Sequence, residues 1–340
     1  MKPLPAVDLE SVLADTRDLW EEFRGNKLFL TGATGFMGCW LLESFAWACD
    51  HLGLDAHVVA LTRDPDRFAA KAPHLASHPS IALVQGDVRS FTFPAGSFSH
   101  IIHGAAQPSA ATSQPLQREI IVEGTRRVLT FGRACGASKS LFLSSGAVYG
   151  TQPPSCSHMP EDETAVARPL TVPSAYADGK REAERLWREE QAPGQRTIAR
   201  CFAFLGPHLP LDGQFAAGNF IRDGLNGGPI RVNGDGTPFR SYLYAADLVV
   251  WLLTILCKGT AGRAYNVGSE QAVSILELAH SVAAAFSPKP AVSVLQKPVP
   301  GAFPARYVPS TLRARTELHL KENFPLASAI QATVSWYATD

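Results

Sequence analysis

The run Thr31-Gly32-Ala33-Thr34-Gly35-Phe36-Met37-Gly38 constrains this chain more than any other. It follows the apolar stretch Leu28-Phe29-Leu30 and opens the amphipathic segment Met37–Leu52, so it joins a strand to a helix. Gly32, Gly35 and Gly38 form a GxxGxxG pattern. The turn must be tight, the backbone must approach a pyrophosphate, and the helix must pack close to the strand. Each demand excludes a Cβ at one position. The amides of Phe36, Met37 and Gly38 then belong to the positive end of the helix, on which phosphates rest. A second apolar strand, His57–Thr62, follows after roughly 20 residues, the context that separates a dinucleotide turn from an ordinary glycine-rich one.

Beyond this turn the periodicity alternates. Ile81–Gln85, His100–His103, Ser140–Ser144 and Arg196–Phe202 read as further strands, with helices over Glu119–Cys135 and Ala175–Gln191. Alternating strands and helices predict parallel βαβ units: an α/β fold with a doubly wound parallel (Rossmann) sheet. Residues 1–26 read as an N-terminal helical extension, with a helix from Leu9 to Phe23, and residues 27–206 as an NAD(P)-binding domain. After Gly206, Pro and Gly become frequent and helices short. Residues 207–340 are therefore expected to be mainly a smaller C-terminal α/β substrate lobe, interleaved with the sheet.

With 340 residues, 46% hydrophobic and 18% charged, the chain can build a large core and reads as a soluble globular protein. Its 31 basic and 31 acidic residues cancel, so no global field favours nucleic acid or an anionic membrane. Met1 to Trp20 carries acidic residues and lacks the apolar run of a secretory signal. The longest apolar run, Leu248–Cys257, is about half the roughly 20 residues a membrane helix needs. The 6 cysteines show no CxxC spacing and fit buried thiols in a reducing compartment, so a cytoplasmic protein is expected.

The end of the second strand selects between cofactors. An acidic residue there bonds the ribose hydroxyls and marks NAD. Here the string is Thr62-Arg63-Asp64. Arg63 offers a 2′-phosphate a charge-assisted fork, which favours NADP(H) over NAD(H). The alternative is a solvent-facing Arg63 with Asp64 on the ribose. Asp87-Val88, after the third strand, fits an adenine-edge contact.

Tyr176 and Lys180 stand i, i+4 on one helix and share a face. The ammonium, with an oxidised nicotinamide, is expected to draw the phenol's pKa from about 10 toward working pH. Lys180 is also placed to hold the nicotinamide ribose. Ser145, ending the fifth strand, is placed to hydrogen-bond the substrate oxygen and the phenol. Such a trio shuttles one proton while hydride moves.

In this order the strings resemble the extended short-chain dehydrogenase/reductases, and more narrowly the nucleotide-sugar epimerase/dehydratase family. The likeness runs from Lys27 to about Leu320 and includes His103-Gly104-Ala105-Ala106, Ser144-Ser145-Gly146-Ala147-Val148-Tyr149-Gly150 and Tyr265-Asn266-Val267-Gly268. It implies that Ala105 and Ala106 lie beside the cofactor and that Ser145 is the catalytic hydroxyl. It places Asn219 by the nucleotide diphosphate, with Arg240 and Arg306 converging on it as planar charged forks.

Departures from the family pattern narrow the reaction. The 4,6-dehydratases carry an Asp-Glu pair where this chain has Gly146 and Ala147. Two asparagines of the pattern are replaced by Ile121 and Ala203. Gly35–Leu41 is similar to CDP-glucose dehydratases. The resemblance implies an enzyme on a nucleotide-diphosphate sugar, with NADPH-dependent C4 reduction of an NDP-4-keto-6-deoxyhexose as the first expectation. A 4-epimerase with bound NAD is the alternative, a 4,6-dehydratase stands behind it, and a non-enzymatic nucleotide sensor is the reading from another class. A homodimer through the Glu119–Cys135 and Ala175–Gln191 helices is also implied. No metal site is expected: His74 and His78 are i, i+4 but lack a third ligand. His103 either approaches the cofactor or packs. Glu182, Glu184, Glu189 and Glu190, among Arg181, Arg185 and Arg188, read as a solvated helix face.

Overall fold

Successive residues of the central strands enter different cores. The computed structural model, which describes residues 1–106, 113–162, 169, 174–213 and 215–338, has a sheet of β1 (Lys27–Thr31), β2 (His57–Thr62), β3 (Ile81–Gln85), β4 (His100–His103), β5 (Lys139–Ser145), β6 (Gln195–Cys201) and β7 (Ala264–Val267). All pairs are parallel, in the order β7-β6-β5-β4-β1-β2-β3. Leu28, Leu30, Val58, Ala60, Leu141 and Leu143 pack on one face with helices Ala6–Thr16, Phe36–Leu52 and Ala245–Lys258. Phe29, Val59, Phe142 and Ile198 pack on the other with Gln114–Cys135 and Ala175–Glu189. Period-two strands with both faces apolar need helices on both sides, and this is the doubly wound sheet that was expected.

The chain leaves β1 toward β2 and β3, then crosses to β4 on the other side. Ligands of such sheets bind at that switch, outside the carboxyl ends of the strands. Here the two chains part at Gly32 and Gly104, where a Cβ on Gly32 would lie 2.6 Å from the Gly104 carbonyl carbon.

The Gln114–Cys135 helix starts earlier than the expected Glu119, because Pro115 fits its first turn, where a missing N–H costs nothing. The expected single helix to Phe23 is an α-helix over Ala6–Thr16 followed by a 3₁₀ stretch, Arg17–Phe23. Leu9, Val12, Trp20 and Phe23 join the first core, and Tyr244 donates to the buried Asp8 at 2.7 Å. After β6 the chain builds small ladders. Phe239–Arg240 pairs antiparallel with Val273–Ser274 and parallel with Arg306–Tyr307. Among the described residues no helix is long and apolar enough to cross a membrane.

Candidate active site

The three glycines divide their labour. Gly32 has φ +77°, and a Cβ on Gly38 would lie 2.4 Å from the Ala33 carbonyl, so only glycine lets the helix sit on the turn. Gly35 is different: its φ is −86° and its Cβ would meet only Gly32 O, at 3.5 Å. Among the described residues nothing requires glycine there; the close approach of a pyrophosphate would. The first helical bond runs from Cys39 N–H to Gly35 O at 2.9 Å, and no side chain caps the helix. The amides of Phe36, Met37 and Gly38 therefore have no acceptor within the helix. The turn fits a dinucleotide, whose phosphates these amides would hold.

This division is testable. Gly38→Ala is expected to cost about 1–3 kcal/mol of stability, seen as a lower thermal midpoint. Gly35→Ala is expected to leave stability within about 0.5 kcal/mol while weakening NADH and NADPH in fluorescence titrations.

At the ends of β2 and β3 the acids have partners. Asp64 caps the helix Pro65–Lys71, accepting the Arg67 N–H at 2.9 Å. Asp87 is gripped by Arg89, with Nε to Oδ1 at 2.8 Å and Nη2 to Oδ2 at 3.0 Å. Hydrogen bonding to that guanidinium holds the Asp87 carboxyl below its usual range. Arg89 escaped the sequence reading, although it stands two residues after Asp87. Arg63 is exposed and near enough to Asp87 to add to the lowering. Val88 is a core residue: its Cγ1 lies 2.9 Å from where a Cβ of Gly124 would be, so its side chain is committed to packing.

His103 resolves as structural. Its Nδ1 lies 2.7 Å from Thr31 Oγ1, and its Nε2 lies 3.1 Å from Thr125 Oγ1. Thr125 donates its one hydrogen to Ile121 O at 2.7 Å, so Nε2 carries the ring hydrogen and Nδ1 accepts from Thr31. Thr31 Oγ1 in turn accepts the Ala105 N–H at 3.1 Å. This row of bonds ties β1 to the loop after β4, and so positions the half-buried Ala105 and its neighbour Ala106. Burial pushes the imidazole down to about 3, so the ring is neutral.

Ser145, Tyr176 and Lys180 meet at the carboxyl end of β5. Ser145 ends that strand, and the other two lie at the start of Ala175–Glu189, capped by Ser174 Oγ, which accepts the Ala177 N–H at 3.3 Å. Ser145 is near enough to Tyr176 to lower the phenol's pKa. Lys180 is buried, donates to Leu143 O at 2.7 Å and lies 4.6 Å over the Phe142 ring. Its Nζ is 5.9 Å from the Tyr176 ring centre. In the chain without a nicotinamide, burial raises the phenol to about 12, and Ser145 offsets this only in part. Burial also lowers the ammonium to about 8. Lys180 gives its nearest hydrogen bond to a carbonyl rather than to the phenol, so in the chain alone Tyr176 is an acid at neutral pH.

Arg240 and Arg306 do not converge as expected. Parallel register pairs Tyr307 with Arg240 and Arg306 with Phe239, so the two arginines stand on opposite faces of the ladder. Arg240 lies 5.9 Å over the Tyr307 ring, and Arg306 lies 4.3 Å over the Phe239 ring. Asn219, on helix Ala216–Leu225, accepts from Arg222 at 3.1 Å. Tyr307, which the sequence reading passed over, lies 3.4 Å from Ser145 Oγ. The space beside Ser145 is closed: a Cβ on Gly146 would lie 2.7 Å from Phe202 Cζ and 2.8 Å from Tyr307 Oη.

The model of the NAD dependent epimerase/dehydratase family matches residues 28–268. The chain belongs to that family. Among its relatives, UDP-glucuronic acid decarboxylase 1 of Arabidopsis thaliana is 26% identical over 314 residues, 91% of this chain and 69% of its own length. The structure of MoeE5 in complex with UDP-glucuronic acid and NAD is 25% identical, has a TM-score of 0.74, and covers 92% of this chain and 99% of its own. The UDP-glucose 4-epimerase of Thermotoga maritima, solved with UDP-glucose, shares the fold at 18% identity and a TM-score of 0.72, covering 92% of this chain and 99% of its own.

Two further expectations meet the structure of this family member. Glu184 is not on a solvated face: it is buried and bonds the equally buried Arg200, which sits mid-strand in β6. His74 and His78 take separate partners, Glu43 and Asp50, each at 3.2 Å. Among the described residues Glu22, His100 and Cys257 bring three ligand atoms within 4.8 Å of one another. The Lys139 ammonium bonds Glu22 at 2.6 Å and takes the place of a cation there.

Proposed function

We propose that this chain changes the oxidation state of one carbon of a nucleotide-activated sugar, as an NADPH-dependent reductase of an NDP-4-keto-6-deoxyhexose acting at C4. The observation that carries this is an intact Ser145–Tyr176–Lys180 set beside a filled space at Gly146. A phenol that keeps its proton at neutral pH is the donor that a nascent alkoxide needs, and Ser145 is the hydroxyl that steadies that oxygen. Eliminating a hydroxyl needs an acid–base pair. Positions 146 and 147 are Gly and Ala, and Phe202 and Tyr307 occupy the room a longer side chain would take. When bound, the nicotinamide supplies the hydride. Arg63, with Arg89 close by on Asp87, supports NADP(H) over NAD(H).

A second reading is a 4-epimerase with bound NAD. What favours it is the bound NAD: MoeE5, at 25% identity, was solved with NAD and UDP-glucuronic acid. One assay separates the two: the purified protein is given UDP-glucose, UDP-glucuronic acid or dTDP-4-keto-6-deoxyglucose, with and without NADPH, and products are read by mass-coupled chromatography. Reduction that needs NADPH is expected. An epimer formed without added cofactor would turn the assignment to the epimerase, and no conversion of any nucleotide sugar would overturn both. Family resemblance also supports a homodimer through the helices Gln114–Cys135 and Ala175–Glu189; a monomeric mass by light scattering would contradict it.

A further inference from the structure

The turn that carries Ser145 is tied at both ends to one buried ion pair. Ser144 and Ser145 end β5, and the 3₁₀ turn Gly146–Tyr149 follows at once. Ahead of Ser145, the Ser144 hydroxyl donates to Glu184 Oε1 at 2.6 Å. Behind it, the Tyr149 hydroxyl accepts from Arg200 Nη1 at 2.9 Å. Glu184 and Arg200 are joined to each other, with Nη2 to Oε2 at 2.7 Å and Nε to Oε1 at 3.0 Å, and both are excluded from water. Between the two ends, Arg181 Nε donates to Val148 O at 2.6 Å, and the Ala147 N–H donates to Ser145 Oγ at 3.2 Å. The Tyr149 end is anchored further, on β7. Tyr149 gives its one hydrogen to Asn266 Oδ1 at 2.8 Å. Asn266 Nδ2 donates to Met159 O at 2.8 Å and to Ser310 O at 2.9 Å, so both hydrogens of the amide face carbonyls and Oδ1 is left for the phenol.

We propose that Ser144 and Tyr149 are positioning residues that act through Ser145: the Glu184–Arg200 pair holds both ends of its turn and so sets where its hydroxyl stands. Adjacent residues of a strand face opposite sides of a sheet. A bond that fixes Ser144 on the helix Ala175–Glu189 therefore fixes the direction Ser145 takes. That helix also carries Tyr176 and Lys180, so the clamp sets Ser145 relative to both. The clamp is stiff for two reasons. Both of its bonds to the turn involve a charged group, and the guanidinium is a planar fork whose bonds share one orientation. Ser144 and Tyr149 are buried as well, so a hydroxyl that let go would find no water in exchange.

The inference rests on Ser145 as the hydroxyl of the reacting site, but its first readout needs no turnover. Hydrogen exchange in the full chain, followed by NMR, reports the Ala147 amide, whose acceptor is Ser145 Oγ. Ser144→Ala and Tyr149→Phe each delete one oxygen and leave Ser145 itself untouched. Each is expected to speed Ala147 exchange about tenfold relative to the ladder amides of β1 and β4. A purely structural role would speed the ladder amides as much. In turnover of the nucleotide sugar, each variant is expected to lower kcat about ten- to a hundredfold at an unchanged KM. In a Ser145→Ala background neither is expected to lower it further. An Ala147 amide that gains nothing on the ladder amides overturns the proposal. So does a kcat unchanged in both variants, or a loss that persists without Ser145. Should circular dichroism show Tyr149→Phe unfolded, Ser144→Ala decides alone. Faster Ala147 exchange in a protein that converts no nucleotide sugar would sink the functional reading and leave the clamp standing.

Discussion

Arg200→Met is expected to lower the unfolding free energy by about 3–5 kcal/mol, the usual result of removing one partner from a buried ion pair. Arg200 and Glu184 are both excluded from water, with Nη2 to Oε2 at 2.7 Å and Nε to Oε1 at 3.0 Å. Arg200 Nη1 donates to Tyr149 Oη at 2.9 Å, and Tyr149 passes its own hydrogen to Asn266 Oδ1 at 2.8 Å. Glu184 also accepts the Ser144 hydroxyl at 2.6 Å, one residue before Ser145. The methionine leaves the carboxylate with that hydroxyl and one Arg188 Nη2 bond at 3.2 Å, which do not replace the Arg200 bonds. The double variant Arg200→Met, Glu184→Leu is expected to lose much less than the sum of the single losses, because no charge is then left unpaired in the core. Urea unfolding of the four proteins closes the cycle. Single losses below about 1 kcal/mol would mean that water reaches the pair as it reaches surface bridges.

That network shows where sequence reading stops. The glycine turn, the strand alternation and the Tyr176–Lys180 spacing were legible because their chemistry is local: each is read within one or two turns of chain. Glu184 was misread because its neighbours on the helix are charged, and only its partner reveals it. The available signal was Arg200 itself, the one charge in the Thr197-Ile198-Ala199-Arg200-Cys201 segment. Tyr307 was hidden for a related reason. Its neighbour Arg306 matched a family motif, but strand alternation turns only one of the two toward Ser145, and which one depends on pairing with Phe239–Arg240. The Tyr176 phenol was expected to be lowered by Lys180 together with an oxidised nicotinamide. In the chain alone its burial, which spacing along a helix does not encode, raises it. Local motifs named the groups, and long-range packing set their ionisation.

Tyr176→Phe is expected to cut turnover of the nucleotide sugar by about 10²–10⁴-fold, the range for losing a positioned general acid. The ring stays in place, so the sugar KM and the affinity for NADPH are expected to change little, which makes the loss one of kcat. Lys180 then sets the pH range. Burial brings its ammonium down to about 8, so its charge is present below that pH and lost as pH rises through it. A rate that uses this charge declines above about 8 in the wild type. Lys180→Arg keeps a cation at every working pH and is expected to move the decline upward, even if the longer fork lowers the maximum. If Tyr176→Phe kept turnover within about tenfold of wild type, the proton would have to come from Ser145 or water. The burial that keeps Tyr176 protonated would then serve packing alone, and the case for a reductase built on that acid would fall with it.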